Sequence, residues 1–250
     1  AKSDALDAAR AARAVLAQAR PAAPRAGGSR EALRALMVAR EGALTARKAA
    51  LCQLRSLLVT GPEELRARLE HLSRARLLRA CAALRPGQRS DVAAAGLARA
   101  LRSLARRIRA LDGEEHALKR EIELLVAQLA PALLAEPGIG PISAAQLLLS
   151  WSHRGRIRSE AAFARLAAAA PIPASSGKTV RHRLDPGGDR KLNRALHTII
   201  VARRKHHPPT IAYCARRTRE GKNARETIRC LKRYLARHLY RLLETMPATA

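Results

Sequence analysis

The chain of 250 residues carries 48 Lys and Arg residues against 20 Asp and Glu residues, so its formal net charge is +28. This charge excludes an ordinary enzyme of small metabolites. It predicts a polyanionic partner, with nucleic acid as the default because the phosphate backbone attracts dense Arg and Lys. Aromatic residues make up only 2% of the chain, so base stacking is not expected to be the main binding mode. The abundance of Ala, Leu and Arg favours helix over β structure.

Other features bound the compartment of the protein. No apolar run approaches 18 residues, so no membrane span is predicted, while an anionic membrane surface is the rival to nucleic acid as the partner. The cysteines form no CxxC pair, the histidines show no ligand spacing, and no secretory signal is present. Free thiols in a reducing cytosol are the expectation. The cysteines are Cys52, Cys81, Cys214 and Cys230.

The N-terminal part of the chain is predicted to form two helices. The first runs from Asp4 to about Ala19, and the Pro- and Gly-rich residues 21–28 end it. Ser29 is the candidate N-cap of a long helix from Arg30 to about Val59. Arg40 and Arg47 interrupt its seven-residue apolar pattern. The pattern consists of Leu33, Met37, Leu44, Leu51, Leu54 and Leu58.

After short helices across 62–84, a second long helix shows the clearest periodicity in the chain. Its apolar residues recur at steps of four and three, with Glu115 as the one gap. Such a seam predicts a coiled coil, either within the chain or between the subunits of a homo-oligomer. The seam consists of Leu97, Leu101, Leu104, Ile108, Leu111, Leu118, Ile122, Leu125 and Leu129.

A glycine turn marks the next boundary. Gly138 and Gly140 precede a helix that is predicted from Ile142 to Trp151. Such a turn can present backbone N–H groups to a phosphate, as in a helix-hairpin-helix DNA-binding unit. A tight interhelical turn explains the two glycines equally well, and the net charge favours the first interpretation.

The most informative segment is residues 174–183. Ser175 and Ser176 lie on a Pro/Gly-rich loop, and three cations follow closely, namely Lys178, Arg181 and Arg183. A serine that attacks a phosphodiester needs an accessible hydroxyl and cations that stabilise charge on the phosphoryl oxygens. The alternative is a solvated turn, because Ser, Gly and Pro are ordinary turn residues.

The segment after this loop is predicted to be helical and basic. Asp189 is expected to cap a helix that starts near Arg190 and carries Arg194 in its second turn. The helical tail beyond it is rich in Arg and Lys and nearly lacks balancing acids. We interpret it as a nucleic-acid surface.

Two carboxylates stand at the start of the chain. Asp4 and Asp7 are three residues apart, so a helix places them on one face. Two such carboxylates can hold a hard cation such as Mg²⁺. From the residues alone, the favoured alternative is that they complement the dipole of a first helical turn. Two acids also make an incomplete nuclease site.

From Glu136 to about Glu244 the chain resembles the C-terminal domain of the insertion-sequence one-ten family of transposases, DEDD/serine recombinases that are guided by a bridge RNA. The order and spacing of the matching pieces make the resemblance fairly specific. Residues 2–8 resemble the end of the family's RuvC-like domain, and the long helices resemble its coiled-coil region. The matching pieces are Pro137-Gly138-Ile139-Gly140-Pro141, Ala144-Ala145, Phe163, Pro171, Ser175-Ser176-Gly177-Lys178, Arg183, Gly187-Gly188-Asp189-Arg190 and Leu192-Asn193-Arg194-Ala195-Leu196.

The resemblance implies a mechanism. Acids of the RuvC-like domain bind Mg²⁺, and a serine attacks the DNA backbone to form a phosphoserine link that preserves the bond energy. Carried over, Asp4 and Asp7 are metal ligands. Ser176 is the nucleophile, favoured over Ser175 because the family pattern places serine directly before glycine. The resemblance also implies DNA and a guide RNA as partners, a composite site in an oligomer, and a place at the nucleoid in the bacterial cytoplasm.

One departure from the family pattern matters. The family's first Asp and its Glu lie on strands that would precede Ala1, and the chain begins without Met. We therefore expect a fragment with half of the metal site, which binds nucleic acid but does not cut DNA alone.

The expected fold is mostly α, with long antiparallel coiled-coil helices and a compact helical C-terminal domain that contains the helix-hairpin-helix-like turn. Three segments are expected: 1–27 as a RuvC-like remnant, 28–130 as the coiled-coil region and 131–250 as the serine domain. Short strands near the serine loop are possible but not placed. The alternative function is a non-catalytic basic module that binds DNA or RNA. Membrane-surface binding is disfavoured because the basic tail lacks a large apolar face.

Overall fold

The computed structural model describes residues 3–18, 24–25, 27–85, 91–174, 182–183 and 185–246. Within these ranges the fold is mostly α, as predicted, with eleven helices and one two-stranded ribbon. None of the described helices combines the length and apolarity needed to cross a membrane. All four cysteines are free thiols. The helices are α1 Asp4–Leu16, α2 Ser29–Val59, α3 Glu63–Leu69, α4 Arg74–Ala83, α5 Val92–Leu129, α6 Pro131–Ala135, α7 Pro141–Trp151, α8 Glu160–Leu166, α9 Arg190–His206, α10 Pro208–Arg219 and α11 Ala224–Thr245.

The chain divides into two compact units. The first unit contains Ala1–Glu31 and Ala130–Ala250, and the second contains Ala32–Leu129. The three functional segments expected from the sequence stay a prediction, because compactness does not report what a segment does.

The second unit is built on α2 and α5. These helices are antiparallel, because Arg40 pairs with Glu115 while Arg47, farther along α2, pairs with the earlier Asp112. Every position of the two predicted apolar patterns is buried or half-buried. Their central part shares one core with α3 and α4, since burial of apolar surface is the main force that joins such helices. The central core includes Leu54, Leu69, Leu78, Cys81, Leu101 and Ile108.

The charged interruptions of the two apolar patterns face each other. Arg40 Nη2 lies 2.5 Å from Glu115 Oε1, with side chains 18% and 10% exposed. Arg47 Nη1 lies 2.7 Å from Asp112 Oδ1, which also accepts a hydrogen bond from Arg74. The residues that break the sequence patterns, Arg40, Arg47 and Glu115, therefore all take part in partly buried ion pairs between the helices.

The first unit packs its helices around α9 and α11. Helix α9 contacts α7, α10 and α11, and α11 also contacts α8. Trp151, the one tryptophan of the chain, is buried and donates a 2.7 Å hydrogen bond to Glu244 at the end of α11. Glu160 at the start of α8 accepts hydrogen bonds from Arg237 and Arg241 of α11.

Several predicted helix boundaries need correction. Helix α2 begins at Ser29 itself, so Ser29 is its first residue and not a cap that precedes it. The sequence predicts a helix near Glu160–Ala169, but helix α8 ends at Leu166 because Ala168 has a positive φ of 50°. The basic tail, predicted only to be helical, is formed by three helices. It is interrupted at His207, ahead of a proline pair, and at Gly221, which has a φ of 80°.

Candidate functional site

A short antiparallel ribbon lies at the base of the serine loop. Strand β1, Ile172–Pro173, pairs with strand β2, His182–Arg183, with Ile172 opposite Arg183 and Pro173 opposite His182. These are the strands that the sequence allowed but did not place. The pairing makes residues 174–181 the connection of a hairpin, because both of its ends are held at the ribbon.

Most of the predicted site residues of this loop lie outside the described residues. These are Ser175, Ser176, Lys178 and Arg181, while Arg183 is described through its backbone pairing alone. What the structure supplies is the frame around the loop: the ribbon, the turn that follows it, and the start of α9.

The turn after β2 is docked tightly on the end of α8. Gly188 has a φ of 91°, and a Cβ added to it would lie 2.6 Å from the carbonyl oxygen of Leu166. The same carbonyl accepts a 2.7 Å hydrogen bond from the backbone N–H of Asp189. Only glycine permits both this conformation and this approach, which explains the second glycine of the Gly187-Gly188 pair.

Asp189 fixes the start of α9, as its predicted capping role requires. Its Oδ1 accepts hydrogen bonds from the backbone N–H groups of Lys191 and Leu192, at 2.8 and 3.0 Å. Its Oδ2 accepts a 2.6 Å hydrogen bond from Ser150 Oγ, and Gln146 donates to that hydroxyl. Both carboxylate oxygens are occupied, so this acid is a structural anchor between α7 and α9.

Asn193 links α9 to two other elements. Its Nδ2 donates a 2.7 Å hydrogen bond to the carbonyl oxygen of Ala167, and its Oδ1 accepts one of 2.7 Å from Lys232 Nζ. Burial lowers the pKa of Lys232. Sequence reasoning gave Ser150 no role and counted Lys232 only among the basic residues of the predicted nucleic-acid surface, because each lies 39 residues from the residue that it contacts.

One face of α9 is basic and exposed. Arg190, Arg194 and His197 recur at steps of four and three, which places them on one side of the helix. Burial lowers the pKa of His197, and the positive charges of Lys232 and Arg204 lower it further. A helix start that bears exposed arginines, close in sequence to the serine loop, suits a phosphate.

The glycine turn between α6 and α7 has a packing role. Gly138 has a φ of 76°, and a Cβ there would lie 3.1 Å from the carbonyl oxygen of Ile199 on α9. Arg203 of α9 donates a 2.7 Å hydrogen bond to the carbonyl oxygen of Pro137. Gly140, by contrast, is the N-cap of α7 and has open space beside it. The close contact of the turn with α9 thus explains why residue 138 is a glycine, whereas Gly140 is accessible.

Asp4 and Asp7 lie in the first turn of α1, whose N-cap is Ser3. Both are exposed, and Asp7 lies 3.7 Å from Arg10. Throughout the described part of the chain, no three His, Cys, Asp or Glu residues gather where they could hold a metal ion. Two exposed carboxylates, one paired with an arginine, do not make a Mg²⁺ site by themselves.

Comparison with known proteins places this geometry in context. Residues 130–215 match the family model described as "Transposase IS116/IS110/IS902 family". A relative from Streptomyces coelicolor (strain ATCC BAA-471 / A3(2) / M145), "Insertion element IS110 uncharacterized 43.6 kDa protein", is 30% identical over 144 residues. The alignment covers 56% of this chain and 36% of the relative, so the chain spans about a third of that protein's length. The matched segment contains the glycine turn, the serine loop, the ribbon and α9.

Proposed function

We propose that this chain, whose residues 130–215 match the model of the IS116/IS110/IS902 family of transposases, takes part in moving an insertion sequence by cutting and rejoining DNA through a serine. The observation that carries the proposal is the hairpin frame. The ribbon residues Ile172 and Arg183 hold the ends of a loop with two serines, and Asp189 then anchors a helix with exposed arginines.

The proposed chemistry is a transesterification at phosphorus. Ser176 Oγ attacks the phosphodiester, an Oγ–P bond forms, and the bond from phosphorus to a deoxyribose oxygen breaks. The serine hydroxyl proton is lost to solvent or to a base, and the leaving oxygen takes up a proton. Attack on the phosphoserine by the hydroxyl of another DNA strand reverses these steps and rejoins the backbone. Ser175 is the alternative nucleophile.

Cations near the loop have the supporting role. In this proposal Lys178, Arg181 and Arg183 face the phosphate at the serine, and Arg190 and Arg194 bind flanking phosphates. Preorganised positive groups stabilise charge that develops on phosphoryl oxygens. Gly140, at the open start of α7, is proposed as a further phosphate contact.

We include Mg²⁺ in the proposal because the resemblance to the transposase family implies it. Asp4 and Asp7 would contribute two carboxylates to a site whose further ligands are not among the described residues. The metal would supply Lewis acidity and charge neutralisation at the phosphate. The chain alone is expected to bind DNA without cutting it.

We propose two further partners. The family implies a guide RNA, and the net charge of +28 suits a second nucleic acid as well as DNA. Pairing of copies through the α2–α5 region would give a homo-oligomer with a composite site. Since the proposed substrate is DNA, the expected location of the protein is the nucleoid of a bacterial cytoplasm.

A non-catalytic role in binding DNA or RNA is the second candidate. The observation that favours it is that Asp4 and Asp7 are exposed and stand without a third metal ligand among the described residues. It predicts full DNA binding after Ser176→Ala, no covalent adduct, and no dependence of binding on Mg²⁺.

Binding of duplex DNA tests the role of the α9 face. We expect the double variant Arg190→Ala/Arg194→Ala to lose affinity about tenfold at moderate salt. The slope of log affinity against log salt should become shallower by about 1.8, because two phosphate contacts are lost. Fluorescence anisotropy of a labelled duplex measures both quantities.

The matched control is Arg106→Ala/Arg109→Ala, which removes two exposed arginines from α5 in the second unit. An equal loss in both double variants would mean that only net charge matters, and would contradict a DNA site on α9.

A further inference from the structure

A cavity of about 470 Å³ opens between α9, α10 and α11 of the first unit. Its wall combines aromatic, apolar and cationic side chains, among them Tyr213, Tyr234, Leu235, Arg216 and His238. We call it the tyrosine groove. Its volume lies in the range of about 300–1,000 Å³ that is typical of sites for small organic groups.

The groove concentrates the scarce aromatic side chains of the protein. The whole chain has three Tyr, one Phe and one Trp, and two of the three tyrosines line this cavity. The rings of Tyr213 and Tyr234 meet edge to face, with centroids 5.8 Å apart. Tyr234 is nevertheless 57% exposed, although an aromatic ring ordinarily contributes its surface to the core. An exposed, braced aromatic face is a platform on which a flat ring can stack.

Cations stand beside this platform. The guanidinium carbon of Arg216 lies 5.2 Å from the ring centroid of Tyr213, which holds the charge against the aromatic wall. Arg216 also meets Glu220, at the long distance of 3.7 Å and with both side chains well exposed. A phosphate can compete for such a loosely held guanidinium.

The other charges of the groove are already balanced. Glu136 accepts hydrogen bonds from Arg203 at 2.7 Å and from His238 at 2.9 Å. Burial raises the pKa of Tyr213 to about 12, with a smaller contribution from Cys230. Tyr213 therefore stays a neutral phenol, and the groove adds no negative charge that would repel a phosphate.

We propose that the tyrosine groove binds one unpaired nucleotide, with its base stacked on Tyr234 and its phosphate on Arg216. The combination of an aromatic face and an adjacent guanidinium matches how proteins bind single strands without reading sequence. The nucleotide must be unpaired, because a base within a duplex is already stacked on both faces. The proposal rests on the proposed function only in taking nucleic acid as the partner, and it adds a single-strand site formed by α9, α10 and α11.

Binding of ten-residue oligonucleotides to the chain tests this site. We expect Tyr234→Ala to weaken binding of oligo-dA about tenfold, the loss typical of one base–aromatic stack, while Tyr234→Phe stays within about twofold. An oligomer of the same length with abasic sugars should bind the wild-type protein as weakly as oligo-dA binds Tyr234→Ala. The matched control is Ile211→Ala, which removes an exposed apolar side chain of α10 outside the groove.

Substitution of arginines tests the phosphate position. Arg216→Ala should weaken binding more than Arg219→Ala, although each removes one exposed arginine from the last turn of α10. Parallel titrations with oligo-rA show whether the groove takes RNA, DNA or both.

Three outcomes would overturn the proposal. One is that Tyr234→Ala still binds oligo-dA more tightly than the abasic oligomer, by the same factor as the wild-type protein. Another is equal loss in Arg216→Ala and Arg219→Ala. The third is displacement of oligo-dA by an acidic peptide from the wild-type protein but not from Tyr234→Ala, which would assign the groove to a protein partner. Duplex binding through α9 is measured in the same variants and should not change, so failure of the groove leaves the proposed function standing.

Discussion

At the scale of single residues, the glycine and the aspartate that follow strand β2 act first through geometry. Gly188 allows the turn after β2 to contact the carbonyl oxygen of Leu166. Both carboxylate oxygens of Asp189 accept hydrogen bonds, one from the backbone of α9 and the other from Ser150. These residues carry no chemistry of their own in the proposed reaction. They fix the turn that follows β2 and the start of α9.

Gly188→Ala tests this constraint. We expect it to lower the free energy of unfolding of the first unit by at least about 3 kcal/mol, because a positive φ and a collision with a backbone oxygen add together. Fluorescence of Trp151 during urea unfolding reports the first unit, since this one buried tryptophan lies there.

The control is Gly221→Ala, where φ is 80° but no atom lies within 4 Å of the added Cβ. It should cost only about 1 kcal/mol, which is the conformational strain alone. Equal losses in the two variants would mean that the contact with Leu166 contributes nothing.

At the scale of elements, α2 and α5 pair through oppositely charged residues that interrupt their apolar patterns, as well as through the apolar residues themselves. Arg40 and Glu115 each break an otherwise regular apolar pattern, and the antiparallel pairing brings them together in a partly buried site. A shift of one heptad in either direction would move Arg40 away from Glu115 and place it against an apolar position of α5. The pair therefore specifies the register of the two helices.

Glu115→Gln should destabilise the second unit by about 2 kcal/mol, because it leaves the guanidinium of Arg40 partly buried without its charge partner. The loss should be visible in the far-ultraviolet circular dichroism transition and absent from the fluorescence transition of Trp151, which reports the other unit.

Glu63→Gln provides the comparison, since Glu63 also pairs with an arginine, Arg66, but its side chain is 74% exposed. It should change stability by less than about 0.5 kcal/mol. If Glu115→Gln lowers stability by as little as Glu63→Gln, the Arg40–Glu115 pair does not hold the register of α2 and α5.

At the scale of the whole molecule, a chain of net charge +28 uses its few acids as structural partners. Glu136 joins the glycine turn to α9 and α11 through Arg203 and His238. Glu160 joins α8 to α11 through Arg237 and Arg241. The basic surfaces left over are those available to nucleic acid.

The pH dependence of stability follows from these two acids. Burial would raise the pKa of Glu136, but hydrogen bonds and charges from His238 and Arg203 outweigh it and the pKa is lowered. Hydrogen bonds from Arg237 and Arg241 lower the pKa of Glu160. A lowered pKa contributes stability above the unfolded value of about 4.3, and this is lost as pH falls through the folded value.

We therefore expect the urea midpoint of the Trp151 transition to fall as pH drops from about 5 to about 3. In Glu136→Gln/Glu160→Gln the midpoint should be lower at neutral pH and should fall less on acidification. An equally steep fall in this variant would assign the acid sensitivity to other groups.

The sequence predicted the parts of the fold that depend on local signals. Periodicity identified the apolar faces of α2 and α5, and Asp189 was identified as a cap from its position before Arg190. The contacts of Ser150 with Asp189 and of Lys232 with Asn193 were not predictable, because they join distant residues and depend on how α7, α9 and α11 pack. The tyrosine groove was not predicted for the same reason, since a low aromatic content does not indicate which aromatic residues lie together in the fold.

The measurement that tests the central claim most directly is a search for a covalent protein–DNA adduct. The protein expressed from the complete reading frame that encodes this chain is incubated with labelled insertion-sequence DNA, guide RNA and Mg²⁺, then denatured and separated on a gel. We predict an adduct that survives denaturant, is lost in Ser176→Ala and is retained in Ser175→Ala. An adduct that persists in Ser176→Ala would contradict the assignment of Ser176, and one that persists when both serines are replaced would contradict the serine mechanism.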